Sequence, residues 1–136
     1  MMRKSILFPG IFFTASALFC FIYPEQNLQE SMKRGKEVYL LHCQNCHMEN
    51  GEGIEGINPP LAKTTYVKDA KKNIGIILNG QTGEVVVNGK KYNAIMNPMN
   101  YLDDQQIADV LNYVRNSWGN KYPYISPAQV KAERKE

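Results

Sequence analysis

The order of apolar and polar positions divides the chain into one long apolar stretch, three stretches of helical period and one pair of short extended runs. Ile6 to Tyr23 carries no charged side chain and stands apart from the rest of the chain. Glu25 to Glu30 is polar and reads as a tether. From Ser31 to Leu41 the residues predict a short amphipathic helix that Ser31 can cap, with Gly35 and Tyr39, four apart, on one face. Glycine inside a helix costs about 1 kcal/mol relative to alanine, so Gly35 is either a point of close approach by another helix or an accident of sequence. Asp69 to Leu78 predicts a second helix with a partial apolar face of Ala70, Ile74, Ile77 and Leu78, ended by Gly80. Asn88-Gly89, between the extended runs Glu84 to Val87 and Lys90 to Asn93, predicts a hairpin, because both turn positions tolerate positive φ.

The third helical stretch opens at Asp103, an expected N-cap with Gln106 three residues on in the capping-box arrangement. Ile107, Val110, Leu111, Val114 and Trp118 repeat at helical spacing, Tyr113 lies at the flank, and Gly119 stops the run. This helix is expected to cross the first near Gly35 and Tyr39, with Val110 and Tyr113 at the contact. Ser126-Pro127 can start a short terminal helix, expected to pack loosely and to end in the mixed charges of Lys131 to Glu136. The organisation expected is an N-terminal segment over residues 1–23, a linker over 24–30, one folded domain over 31–120 and a C-terminal extension with a short helix over 121–136.

At 136 residues the chain has the length of one domain. Arg3 and Lys4 ahead of the apolar run make residues 1–23 a secretory signal or an N-terminal membrane anchor. Ala15-Ser16-Ala17 offers a small-x-small cleavage site, yet the apolar run continues past it, and uncut it would just reach across a hydrocarbon core, which takes roughly 17 to 25 helical residues. Cys20 follows Phe19, where lipidation would want a small residue, and is read as part of the apolar segment. Either way the domain is exported, facing the periplasm free or anchored to the inner membrane. Of 16 basic and 13 acidic side chains, two basic ones lie in this segment, which leaves the remainder near neutral. With no Lys/Arg stripe interleaved with aromatics, nucleic-acid binding has no support.

The chemistry concentrates in Cys43-Gln44-Asn45-Cys46-His47. Two thiols two residues apart can each add across a vinyl group of one porphyrin, and the histidine after the second then lies against the iron, so the stretch reads as a covalent haem attachment site. A structural zinc site needs four ligands, and only Cys20 and His42 stand outside the motif. A thioredoxin-like pair wants a βαβ setting that is absent from the pattern. An axial histidine needs its other ring nitrogen held by an acceptor, for which the Pro59 carbonyl is a candidate, with Leu61 then facing the haem. Met96 and Met99 compete for the other face of the iron. Met48 and His42 are tied too closely to the attachment residues to cross the porphyrin plane.

Four blocks, Arg34-Gly35-Lys36-Glu37-Val38-Tyr39, the Cys43 to His47 motif, Pro59-Pro60-Leu61, and Asn88 to Asn120, are in order and spacing similar to the class I (monohaem) cytochrome c family, the small bacterial c-type cytochromes in particular. The resemblance covers roughly residues 31–120. It implies an all-α domain of three main helices plus a short β-hairpin around one covalently attached haem c with its iron. It further implies thioether links at Cys43 and Cys46, His47 as proximal ligand, Pro59 supporting it, and Met96 as distal ligand. The family usually has proline directly after the ligand methionine. Here Asn97 follows Met96 and Pro98 comes next, which keeps Met99 as a rival.

A haem closed on both faces implies electron transfer with no catalysis of its own, as a carrier or as a subunit in a respiratory chain. The partners would be redox proteins such as a quinol-oxidising complex, a periplasmic dehydrogenase, a terminal oxidase or a reductase. The alternative is a haem protein with an open or labile sixth position, a peroxidase-like enzyme or gas sensor, supported only by Asn97.

Overall fold

In the computed structural model, which describes residues 24–93 and 95–134, the first helix, α1, runs Pro24–His42. It therefore begins seven residues before the start expected at Ser31. The polar residues Glu25, Gln26, Gln29 and Glu30 are good helix formers and Pro24 suits a first helical turn, so the stretch read as a tether continues the helix. Ser31 is not a cap. It is fully buried inside α1, where its hydroxyl donates to Asp109 Oδ1 and accepts from Asn112 Nδ2 at 2.9 Å. The signal or anchor expected at residues 1–23, including Cys20, lies outside the described residues.

The chain continues through a one-turn helix, α2, at Gln44–His47, then α3 at Ala70–Asn79 and strands β1, Val85–Val87, and β2, Lys90–Tyr92. Helices α4, Asp104–Arg115, and α5, Pro127–Glu133, follow. The cap expected at Asp103 is present, in a reciprocal capping box with Gln106, and two further caps occur at the expected helix starts: Asp69 accepts from Lys72 N, and Ser126 and Gln129 form a second box. The strands pair antiparallel, Val85 opposite Tyr92 and Val87 opposite Lys90, across Asn88 and Gly89, which both have positive φ. The fold is thus mostly helical with one small hairpin, as expected.

Helices α1 and α4 cross at Gly35. A Cβ built there would lie 1.9 Å from the Asp109 carbonyl oxygen, so the two backbones touch and only hydrogen fits between them. Tyr39 packs beside this crossing against Tyr113 and Trp118, with ring centroids 5.5 and 5.1 Å away. The offender is backbone and cannot rotate aside. Gly35→Ala is therefore expected to cost about 3 kcal/mol or more, the upper end of overpacking effects. Guanidinium unfolding of the haem-loaded protein checks this, and an unchanged midpoint would mean that the helices do not meet there.

Helix α4 departs from the expected single apolar stripe. It ends at Arg115 rather than continuing through Trp118, which lies beyond the helix at φ 52° within the aromatic cluster. Its polar residues Asp109, Asn112 and Arg115 are buried with the apolar ones. Asp109 pairs with Arg34 at 2.7 Å, Asn112 exchanges two hydrogen bonds with the Ile125 backbone, and Arg115 donates to the carbonyls of Val67, Lys68 and Pro123. Helix α1 covers Asp109, and the C-terminal segment, whose Ile125 and Val130 are fully buried, covers Asn112 and shares Arg115 with the Val67 and Lys68 carbonyls. Residues 121–134 therefore do not pack loosely: burying such side chains stabilises by roughly 1.5 to 3 kcal/mol each.

Candidate functional site

Helix α1 delivers the chain into a single further turn. The Cys43 carbonyl accepts from Cys46 N at 3.1 Å and from His47 N at 2.9 Å. Residues three and four apart on such a turn share one side. Cys43, Cys46 and His47 accordingly line the same cavity. Cys43 is half-buried and Cys46 exposed, so the second thiol marks the mouth. Burial, reinforced by the neighbouring Cys46, pushes the Cys43 thiol up to about 12, which keeps it a neutral thiol.

His47 is positioned by the loop that comes after it. Its Nδ1 lies 2.9 Å from the Pro59 carbonyl oxygen, the acceptor expected from the sequence. The remaining ring nitrogen, Nε2, is left to coordinate. Burial lowers the His47 pKa and the Pro59 carbonyl partly offsets this, so the ring is held neutral with Nδ1 as the protonated nitrogen. Gly53 makes the arrangement sterically possible. It has φ +68°, and a Cβ there would fall 2.4 Å from the Asn58 carbonyl oxygen and 2.8 Å from that of Pro59, displacing the acceptor. Leu61 N and Ala62 N both donate to the Gly51 carbonyl, and Asn120 Nδ2 donates to the Leu61 carbonyl at 2.7 Å. These bonds fix Leu61 in the cavity lining. Tyr39, its phenol raised by burial and therefore a donor, holds the Met48 carbonyl at 2.6 Å.

The opposite wall comes from the end of α3 and the segment after the hairpin. Met96 exchanges two backbone hydrogen bonds with Gln81, each 2.9 Å, and Met99 N donates to the Ile77 carbonyl at 2.7 Å. Both methionines are partly buried and both line the cavity. Val110, Leu111 and Val114 of α4 close its back. Every site residue expected from the sequence is therefore brought to one cavity of about 240 Å³. His42, Tyr66, Asn73 and Gln81 line it too. Their approach carries no sequence signal, since Tyr66 and Gln81 lie in non-periodic segments and Asn73 on what reads as a polar helix face.

The lining fits a covalently attached haem. Two thiols on one turn, a neutral histidine with one nitrogen engaged and a mainly apolar enclosure suit a porphyrin, and a thioether can close its far side. It does not fit zinc: among the described residues there is no cluster of three or more His, Cys, Asp or Glu side chains able to hold a metal ion. Nor, among the described residues, does a carboxylate or arginine line the cavity to act on a bound peroxide.

Comparison with known proteins agrees with this geometry. A family model described as Cytochrome c matches residues 32–118. Cytochrome c-552 of Thermus thermophilus is 34% identical over 125 residues, which cover 75% of this chain and 95% of that protein. The cytochrome c subunit of the quinone alcohol dehydrogenase of Gluconobacter oxydans is 37% identical over 93 residues, 65% of this chain and 19% of the subunit. The cytochrome c subunit of gluconate 2-dehydrogenase from Pantoea cypripedii is 33% identical over 95 residues, 67% of this chain and 21% of the subunit. The match thus spans nearly the whole of the first relative and about a fifth of each dehydrogenase subunit.

Proposed function

The chain belongs to the cytochrome c family and carries one covalently bound haem c for electron transfer, and from that premise we propose which of its residues hold the group and what it serves. Cys43 and Cys46 form the two thioether links, His47 Nε2 is the proximal ligand, and Met96 is the distal one. Pro59 orients His47 and Leu61 packs on the haem face. The observation that carries this reading is the convergence of these side chains on one mainly apolar cavity, with His47 Nδ1 already engaged 2.9 Å from the Pro59 carbonyl.

When bound, the haem supplies a one-electron iron couple whose potential a histidine and a thioether set towards the oxidising end. The chain's own part is to keep that couple dry and rigid. Val110, Leu111 and Val114 exclude water from the interior, and the Gly51 carbonyl bonds and the Asn120 amide keep the Leu61 wall from moving as charge arrives. Exposed Cys46 marks the edge nearest solvent, where electrons enter and leave.

The partners are redox proteins of an exported chain. The likeness to cytochrome subunits of two dehydrogenases supports a dehydrogenase as donor, and the likeness to Cytochrome c-552 over nearly the whole of that protein supports a carrier. Residues 1–23 serve as export signal or anchor. Among the described residues no helix is long and apolar enough to cross a membrane. The test is carbon monoxide on the reduced, haem-loaded protein. An unmoved optical spectrum is expected, because both axial positions are filled, and a ready shift would replace electron transfer by a ligand-binding or peroxidase role.

A further inference from the structure

The structure assigns to Arg134, in a terminal segment whose sequence announces no chemistry, a positioning role: its guanidinium clips shut the loop that carries the distal methionine. Arg134 lies directly after α5. Its Nε donates to Asp104 Oδ1 at 2.6 Å, one terminal nitrogen to the Asn100 carbonyl at 3.0 Å and the other to the Leu102 carbonyl. One planar fork thus grips both ends of a three-residue stretch and the first turn of α4 together, a geometry that lysine cannot reproduce.

The stretch it grips closes the cavity. Between Met96 and the buried Leu102 the chain makes no helix or strand and is mostly exposed. Its other ties are few: the Gln81 bonds at Met96, the Ile77 carbonyl at Met99, the turn bond from Leu102 N to the Met99 carbonyl at 3.1 Å, and the Tyr101 hydroxyl 3.4 Å from His42 Nδ1. Arg134 reaches the loop from a segment independently fixed by the buried Val130 and by Glu133 paired with Lys71. The guanidinium therefore arrives already oriented, and Asp104 balances its charge. Without the fork the loop would keep its methionine side anchored and lose the side next to α4. The thioether would then leave the sixth position more often.

This inference rests on the reading of a methionine from this loop as the distal ligand, so the experiment separates the two. In the full haem-loaded ferric protein, the long-wavelength thioether-to-iron charge-transfer band is recorded for wild type, Met96→Ala and Met99→Ala. Imidazole affinity and the alkaline pH at which the band is lost are then measured for Arg134→Gln, Arg134→Lys and, as a control, Val38→Ala, a core substitution outside the loop and the terminal segment. An external ligand that binds only the open form gains apparent affinity in proportion to the open fraction. Arg134→Gln is expected to raise imidazole affinity about tenfold by that relation and to lose the band about one pH unit earlier, with Arg134→Lys between it and wild type. Val38→Ala is expected to lower overall stability and move neither readout.

If wild type shows no band, or neither methionine variant changes it, the ligation reading fails and this inference with it. If a methionine variant removes the band while Arg134→Gln stays within about twofold of wild type on imidazole, the ligation reading stands and the clip is overturned. The clip is equally overturned if Val38→Ala moves both readouts as far as Arg134→Gln does.

Discussion

Met96→Ala is expected to open the sixth coordination position while leaving the haem attached. The charge-transfer band should vanish and carbon monoxide should bind the reduced protein readily. The reduction potential should fall on the order of 0.1 V or more, within the roughly 0.8 V over which axial ligands move haem potentials. Met99→Ala should change none of these by a comparable amount. The asymmetry comes from how the two residues are held. The Met96 backbone is paired at both its N–H and its carbonyl to Gln81, outside its own loop, which fixes its direction, whereas Met99 has one such outside bond, to the Ile77 carbonyl, its own carbonyl accepting only from Leu102 N within the loop. Equilibrium redox titration and carbon monoxide spectra of both variants check this. The opposite pattern would assign the role to Met99 and give a physical meaning to Asn97 standing where a proline was expected.

The second large effect is expected from removing both thiols. Cys43→Ser with Cys46→Ser should leave haem that acid–acetone extracts completely and a chain that loses most of its helical signal once the haem is gone. The magnitude comes from the interior. A cavity of about 240 Å³ left unfilled, at roughly 24 cal/mol per Å³, corresponds to about 6 kcal/mol. Water entering at the mouth makes this an upper figure. It is still comparable to the roughly 5 to 15 kcal/mol that holds a typical domain together. A single substitution leaves one thioether and should retain the haem through extraction. Haem retention by the double variant with full helicity would mean that ligation and packing alone hold the group.

The main helices, their starts at Asp69 and Ser126 and the capping box at Asp103 were legible because they are local. Asp69, Asp103 and Ser126 accept from backbone N–H groups three residues ahead, so their partners lie within the same short stretch of sequence. The Cys43 to His47 motif was legible for the same reason, since one turn of helix alone carries its three groups to one side. The Pro59 carbonyl was within reach because a glycine-rich loop of a dozen residues can do little but fold back on the histidine it leaves. Gly35 was readable as one of two possibilities, and the Asp109 carbonyl against it decides for close approach.

What stayed hidden are groups whose partners lie far along the chain. Ser31 looked like a helix cap because nothing near it in sequence needs its hydroxyl; its partners, Asp109 and Asn112, lie 78 and 81 residues away. Asp109, Asn112 and Arg115 stand off the apolar stripe of α4 and carry no local sign of burial, because their cover comes from α1, from the Val67 and Lys68 carbonyls and from the segment after the helix has ended. Arg134 looked like the end of a charged tail, and only the return of α5 over α4 sets it beside Asn100 and Leu102.

The sequence by itself therefore determined the cofactor, the placing of Cys43, Cys46 and His47 on one side of a turn, and the main helices, all of which depend on spacings of a few residues. The tertiary structure decided which polar side chains are interior, that the C-terminal segment is part of the core, and how the methionine loop is held. Those outcomes depend on chain segments meeting across the fold, where the free energy of burying a polar group is settled by a partner that no local pattern announces.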